Sequence, residues 1–139
     1  MIKKEKIIFI CTGNACRSQI AEGLMRHLAS DKFEVYSAGS HPNKVHPAAI
    51  TVMKEIGIDI SSHTSDPISL FMNKSMDIVV TVCDNANKAC PFFSGRAERI
   101  HWSVKDPIED WDSSTEDLVN FRKTRDELTE RIKNLLKID

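Results

Sequence analysis

The residue types able to do chemistry concentrate in one stretch: Cys11, Thr12, Gly13, Asn14, Ala15, Cys16, Arg17 and Ser18. A cysteine, five residues and an arginine, set between an apolar run and a helical pattern, suit the binding and attack of a tetrahedral oxyanion. Gly13 is expected to take a backbone conformation that other residues avoid, letting the loop curl until successive amide N–H groups point inward. With the positive end of the following helix dipole, those amides make an anion site. Arg17 adds a planar fork that can hold two oxygens at once, which lysine would not reproduce. The same field favours the thiolate of Cys11, the nucleophilic form. Ser18 can hydrogen-bond that sulfur or, equally well, satisfy the helix start, and Cys16 reads as a packed thiol. Asp106, followed by Pro107, can face this loop and protonate a departing oxygen, although an Asp-Pro pair by itself usually marks a turn.

Positioning these groups requires strands and helices in alternation. Lys6 to Ile10 is an apolar, β-rich run that ends at Cys11. From Arg17 to Ser30, residues Ile20, Ala21, Leu24, Met25 and Leu28 recur at helical spacing. Phe33 to Ser37 reads as a second strand, and Pro47 opens a helix whose buried stripe is Ile50, Met53 and Ile56, closed by Gly57. Asp77 to Val82 is apolar enough to be buried on both faces of a parallel sheet, and Arg99 to Trp102 is a short final strand, with Trp102 in the core. Ser113 and Glu116 form a capping signature ahead of an amphipathic helix carrying Leu118, Phe121, Leu128, Ile132 and Leu135. This order predicts one α/β domain over residues 1–139, a parallel sheet with helices on both faces. Ligands bind such sheets at the carboxyl ends of the strands, where Cys11, Ser37, Cys83 and the Asp106 loop all fall.

Composition removes several functions. The 139 residues carry a formal net charge of -1, with 41% hydrophobic and 28% charged residues, the balance of a globular domain. Charges of both signs are interspersed, so no field recruits nucleic acid. The run Ile7 to Ile10 is too short to span or enter a membrane, and the expected location is the cytoplasm. Four cysteines there do not read as a structural disulfide framework. Histidines at 27, 41, 46, 63 and 101 make no zinc spacing with them, so no transition metal is expected.

Taken together, the chain resembles the low-molecular-weight protein tyrosine phosphatases and the thioredoxin-coupled arsenate reductases that share their architecture. The resemblance runs along nearly the whole chain, through Cys11 to Gln19 with Ala21, Glu22 and Gly23, Tyr36 to Gly39, Gly57 to Ser61, His63 to Asp66, Val79 to Thr81 before Cys83, and His101 and Trp102 before Asp106 and Pro107. It implies a four-stranded parallel sheet flanked by helices. Both branches share the oxyanion loop, so the loop does not separate them. Hydrolysis moves no electrons, whereas reducing arsenate to arsenite takes an electron pair, which thiols supply by becoming a disulfide. Cys83 and Cys90 match the reductase arrangement. Ile108, Glu109 and Asp110 stand where the phosphatases carry aromatic residues, although Trp111 is close by.

The reductase resemblance implies a relay in which Cys11 attacks arsenate, Cys83 then attacks Cys11, and Cys90 attacks Cys83, leaving a Cys83–Cys90 disulfide for thioredoxin. It further implies phosphate and sulfate as substrate analogues, weak phosphatase side activity, no tightly bound cofactor and a monomer. In some family members Asn14, Glu22, Ser37 and Asp66 match positions around a monovalent cation; a plain hydrogen-bond network among them is the competing reading. Independently of the family, cysteines seven apart on a helix lie about 10.5 Å apart along its axis, beyond the roughly 7 Å that a disulfide spans between Cα atoms. A helical segment 83–90 must therefore unwind on oxidation, and its polar, weakly helical residues suit such melting. Two rivals stay open: a tyrosine phosphatase whose later cysteines are incidental, and a noncatalytic oxyanion or redox sensor.

Overall fold

A computed structural model describes residues 4–83, 97–107 and 118–138. Four strands, β1 (Glu5–Cys11), β2 (Phe33–Gly39), β3 (Ile78–Thr81) and β4 (Glu98–His101), form one sheet in the order β2-β1-β3-β4, with every neighbouring pair parallel. The centre of β1, Ile7 to Ile10, is fully buried, and so is Val80 beside it. That matches the unbroken apolar runs of the sequence, because a strand covered on both faces has no polar side to show.

Parallel pairing sends all four carboxyl ends to one edge. Cys11 pairs with Gly39, Ile10 with Thr81, and Thr81 with His101. The order places β2 and β3 on opposite sides of β1, so the chain reverses direction across the sheet at the end of β1. Such a reversal opens a crevice above the strand ends.

Three α-helices are present among the described residues: α1 (Arg17–Ala29), α2 (Pro47–Lys54) and α3 (Leu118–Leu136). Both faces of the sheet are covered. Phe9 and Trp102, with ring centroids 6.2 Å apart, lie where α3 brings Arg131 over the indole. Tyr36, on the opposite face by strand alternation, packs on Phe71 of a 3-10 turn at Ile68–Phe71.

The helix pattern holds with one exception. Phe121, Thr124, Leu128 and Ile132 are the buried stripe of α3, with Leu118 and Leu135 half-buried, and Trp102 is in the core as expected. In α2, however, the buried residues are Ala48, Ala49, Val52 and Met53; Ile50 is only half-buried and Ile56 is exposed. The helix stops at Lys54, before Ile56 can continue the stripe. Gly57, at φ 80°, ends it through bonds from its own N–H to Lys54 and from the Ile58 N–H to Met53, the 6→1 and 5→2 pattern that a left-handed glycine allows. Ser113 and Glu116 lie outside the described residues.

Candidate active site

The loop between β1 and α1 is shaped by its carbonyl oxygens. Those of Cys11, Thr12, Gly13 and Ala15 accept the amides of Ser40 (3.3 Å), His41 (2.8 Å), Asn43 (2.9 Å) and His46 (3.0 Å). In a trans peptide the N–H points opposite to the C=O. The amides of Thr12, Gly13, Asn14 and Cys16 therefore turn the other way, toward the inside of the loop. One of them meets the nucleophile candidate directly, since the Asn14 N–H reaches the Cys11 sulfur at 3.2 Å.

The left-handed residue in this loop is Asn14, at φ 47°, and not Gly13 as the sequence suggests. Asparagine tolerates that region when its short side chain is held locally, and here it is held on three sides. Its Nδ2 donates to Ser18 (2.6 Å) and Ser37 (3.0 Å), and its Oδ1 accepts the Asp66 amide (2.9 Å). Gly13 instead has ordinary room around it, whereas Gly39 has none. A Cβ at Gly39 would stand 2.6 Å from the Thr12 oxygen and 2.9 Å from the Asn14 nitrogen.

Around this loop the chemistry-bearing side chains converge. Cys11, buried to 2% exposure, lies 2.9 Å from the Ser18 hydroxyl, so the hydroxyl takes the sulfur-facing role rather than a purely local one. Arg17 donates through one guanidinium nitrogen to the Val104 carbonyl at 2.9 Å and approaches the Asp106 carboxylate at 3.7 Å through the other. Both contacts tie the start of α1 to the loop after β4. Cys83, buried beyond the end of β3, meets the Thr12 hydroxyl at 3.4 Å. Cys16 is buried and also lines the pocket. The pocket holds about 360 Å³ and is lined by Cys11, Thr12, Gly13, Ala15, Cys16 and Arg17, with His41, Asn43 and Asp106 completing its wall. Cys90 lies outside the described residues, as do Ile108, Glu109, Asp110 and Trp111.

Residues 6–138 match the low molecular weight phosphotyrosine protein phosphatase family. The chain belongs to that family. An arsenate reductase from Halalkalibacterium halodurans is 45% identical over 132 residues, covering 95% of both chains. A solved arsenate reductase in a phosphate-binding state superposes with a TM-score of 0.82 at 38% identity, over 97% of this chain and 99% of that one. A thioredoxin-dependent arsenate reductase from Corynebacterium glutamicum superposes with a TM-score of 0.72 at 30% identity, over 96% of this chain and 61% of that one.

Within this phosphatase-family fold, the oxygen-bearing set Asn14, Glu22, Ser37 and Asp66 does come together behind the loop. The Ser37 hydroxyl donates to Glu22 and receives Asn14, while both Asp66 oxygens take the Thr64 hydroxyl, at 3.0 and 3.2 Å. Glu22 also pairs with Arg26 at 2.8 Å, and Arg26 donates onward to the Val35 carbonyl. Glu22, Ser37 and Asp66 line a second cavity of about 420 Å³ together with Arg26 and His63. Among the described residues no cluster of three or more histidine, cysteine or acidic side chains is arranged to hold a metal ion.

Three contributors escaped the sequence reading. Gln19 acts from within α1, His46 from the cap position just before α2, and His41 from a loop. His46 caps α2 through its Nδ1, which accepts the Ala48 amide at 3.1 Å, and its own amide holds the Ala15 carbonyl. Pro47 behind it is the available signal for a cap. For Gln19, fully buried on an amphipathic helix, the signal is a long polar residue on the apolar stripe. No helix among the described residues is long and apolar enough to cross a membrane.

Proposed function

We propose that this chain reduces arsenate to arsenite, with thioredoxin as the electron donor. The observation that carries the reading is the second thiol at the oxyanion loop, Cys83 against the Thr12 hydroxyl, in a chain whose relatives over almost their full length are arsenate reductases. A phosphatase has no use for that thiol.

In this reading the inward amides and Arg17 hold arsenate, and the Cys11 thiolate attacks arsenic while Asp106 protonates the departing oxygen. Cys83 then attacks the Cys11 sulfur. The pair of electrons in the sulfur–arsenic bond passes to arsenic, which leaves as arsenite, and a Cys11–Cys83 disulfide forms. Cys90 attacks Cys83 and releases the Cys11 thiolate, and the Cys83–Cys90 disulfide goes to thioredoxin. Ser18 and the Asn14 amide stabilise the Cys11 thiolate both as attacking and as leaving group. The reaction belongs in the cytoplasm, where thiols are kept reduced, and needs one copy of the chain and no tightly bound cofactor. The loop also accepts phosphate and sulfate, and slow hydrolysis of phosphate esters follows from the same Cys11, Arg17 and Asp106.

A monovalent cation in the second cavity would be held by the oxygens of Glu22, Ser37 and Asp66, with Arg26 paired to Glu22 and His63 sharing the cavity wall. There it would stiffen the far side of Asn14. Replacing potassium with choline at constant ionic strength is expected to lower the melting temperature; an unchanged melting temperature would exclude the cation.

The reading is tested by following arsenite formation with thioredoxin, thioredoxin reductase and NADPH in the wild type and in Cys11→Ser, Cys83→Ser and Cys90→Ser. Turnover in the wild type and its loss in all three variants is expected. Phosphate-ester hydrolysis that needs Cys11 alone, without arsenite formation, would make the chain a phosphatase. Asp106→Asn is expected to slow reduction by about 10²–10⁴-fold, whereas a noncatalytic sensor would bind and oxidise as before.

A further inference from the structure

We propose that Gln19 is a positioning residue of the oxyanion loop, holding its backbone in the anion-binding shape from inside α1. Gln19 is fully buried, and each of its polar atoms is engaged. Its Nε2 donates to the Asn14 carbonyl at 3.1 Å and to the Thr64 carbonyl at 2.9 Å. Its Oε1 faces His63 Nδ1 at 3.0 Å. Two carbonyl oxygens can only accept, so the amide has one possible orientation, and His63 Nδ1 must carry the hydrogen.

The consequence for the loop follows from Asn14. This is the left-handed residue of the loop, and its N–H points at the Cys11 sulfur. Its carbonyl, at the other end of the residue, is pulled outward by Gln19 and by the Ser65 hydroxyl at 2.6 Å. Holding that carbonyl sets the plane of the peptide that continues into Ala15, and so the direction of the next inward amides. By also gripping Thr64, one carboxamide locks the loop to residues 63–66, whose Asp66 amide holds the Asn14 side chain. A structural glutamine would need only to be satisfied; this one joins two separate backbone segments at the residue on which the loop's curl depends.

The inference rests on the loop being an oxyanion site and not on arsenate chemistry, so the probe is inorganic phosphate. Its Kd is read from protection of the Cys11-containing peptide against iodoacetamide, by mass spectrometry. In Gln19→Met, which keeps length and apolar packing, the Kd is expected to rise about tenfold, the scale of one lost buried hydrogen bond. Ile132→Val, a destabilised control in α3, is expected to lose melting temperature and keep the wild-type Kd. A Gln19→Met protein with a lower melting temperature and an unchanged Kd would reduce Gln19 to a packing role and overturn the proposal. Absence of phosphate protection in the wild type would overturn the oxyanion reading, and the positioning role with it. Should Gln19→Met not fold, the Gln19 carboxamide protons of the wild type decide: slower exchange with phosphate bound is expected by reciprocity, and identical exchange would overturn the proposal.

Discussion

Arginine at position 17 serves two neighbours besides any anion. One nitrogen is committed to the Val104 carbonyl at 2.9 Å and the other approaches Asp106 at 3.7 Å, so the fork ties the Asp106 carboxylate to the loop as well as supplying charge. A lysine has one point charge for both tasks. Arg17→Lys is expected to weaken phosphate binding by about ten- to a hundredfold, the worth of a charged hydrogen bond, and to slow turnover together with it; retained affinity in the iodoacetamide protection assay would show that the amides alone hold the anion. Gly39 acts by absence. Its missing side chain lets β2 close on the loop, with the Thr12 oxygen at 2.6 Å and the Asn14 nitrogen at 2.9 Å from where a Cβ would stand. Both neighbours are backbone and cannot swing aside. Gly39→Ala is expected to cost about 1–3 kcal/mol of stability, measured by urea unfolding, and to lower phosphate affinity because the atoms displaced belong to the loop; stability loss without an affinity change would separate the two.

At the scale of elements, the loop is held by segments it does not contact in sequence. Residues 40–46 supply four amides to its carbonyls, and His46 joins that ladder to the start of α2 and to α3, its ring 5.1 Å from Phe121. The other end of α2 is tied to α3 by ions. Glu55 accepts Arg122 at 2.7 Å and Arg125 at 2.8 Å, and Arg125 also donates to the Val52 carbonyl. Hydrogen bonding from Arg122 first, with Arg125 adding to it, lowers the Glu55 carboxyl from 4.5 to about 2. A carboxyl lowered on folding contributes stability above its unfolded value, and that contribution fades as pH falls from about 4.5 through 2. Glu55→Gln is thus expected to lower the melting temperature slightly at pH 7, with the difference shrinking toward zero near pH 2 and in high salt. A difference that persists at low pH would assign the effect to packing. The exposed position keeps it small.

For the molecule as a whole, the sheet order decides the chemistry available. With β3 beside β1, the chain leaving β3 emerges next to the oxyanion loop, which is why Cys83, seventy-two residues after Cys11, can touch Thr12. The proposed relay then carries oxidising equivalents outward from a thiol buried to 4% exposure. Peptide mapping after arsenate treatment without reductant is expected to find a Cys83–Cys90 disulfide, with amide exchange in segment 83–90 rising on oxidation. Unchanged exchange there would rule out unwinding as the step that presents the disulfide to thioredoxin.

Sequence alone determined the strands and most of the helices and singled out the loop between β1 and α1, because their signals are local: an apolar run buried on both faces, a 3.6-residue stripe, a cysteine and an arginine framing a turn. The buried stripe of α2 departs from its sequence periodicity because helix length depends on where Gly57 forces the chain to turn, which leaves Ile56 outside. Glycine is the residue expected at the left-handed position because it needs no help there, whereas Asn14 takes it only with Ser18, Ser37 and the Asp66 amide supplied by the fold. What Gln19, His46 and Gly39 contribute to the site is set in the same way. A residue's type states what it can bond to, but which carbonyl it reaches, and which Cβ has no room, are distances between segments, and those exist only once the sheet has brought the segments together.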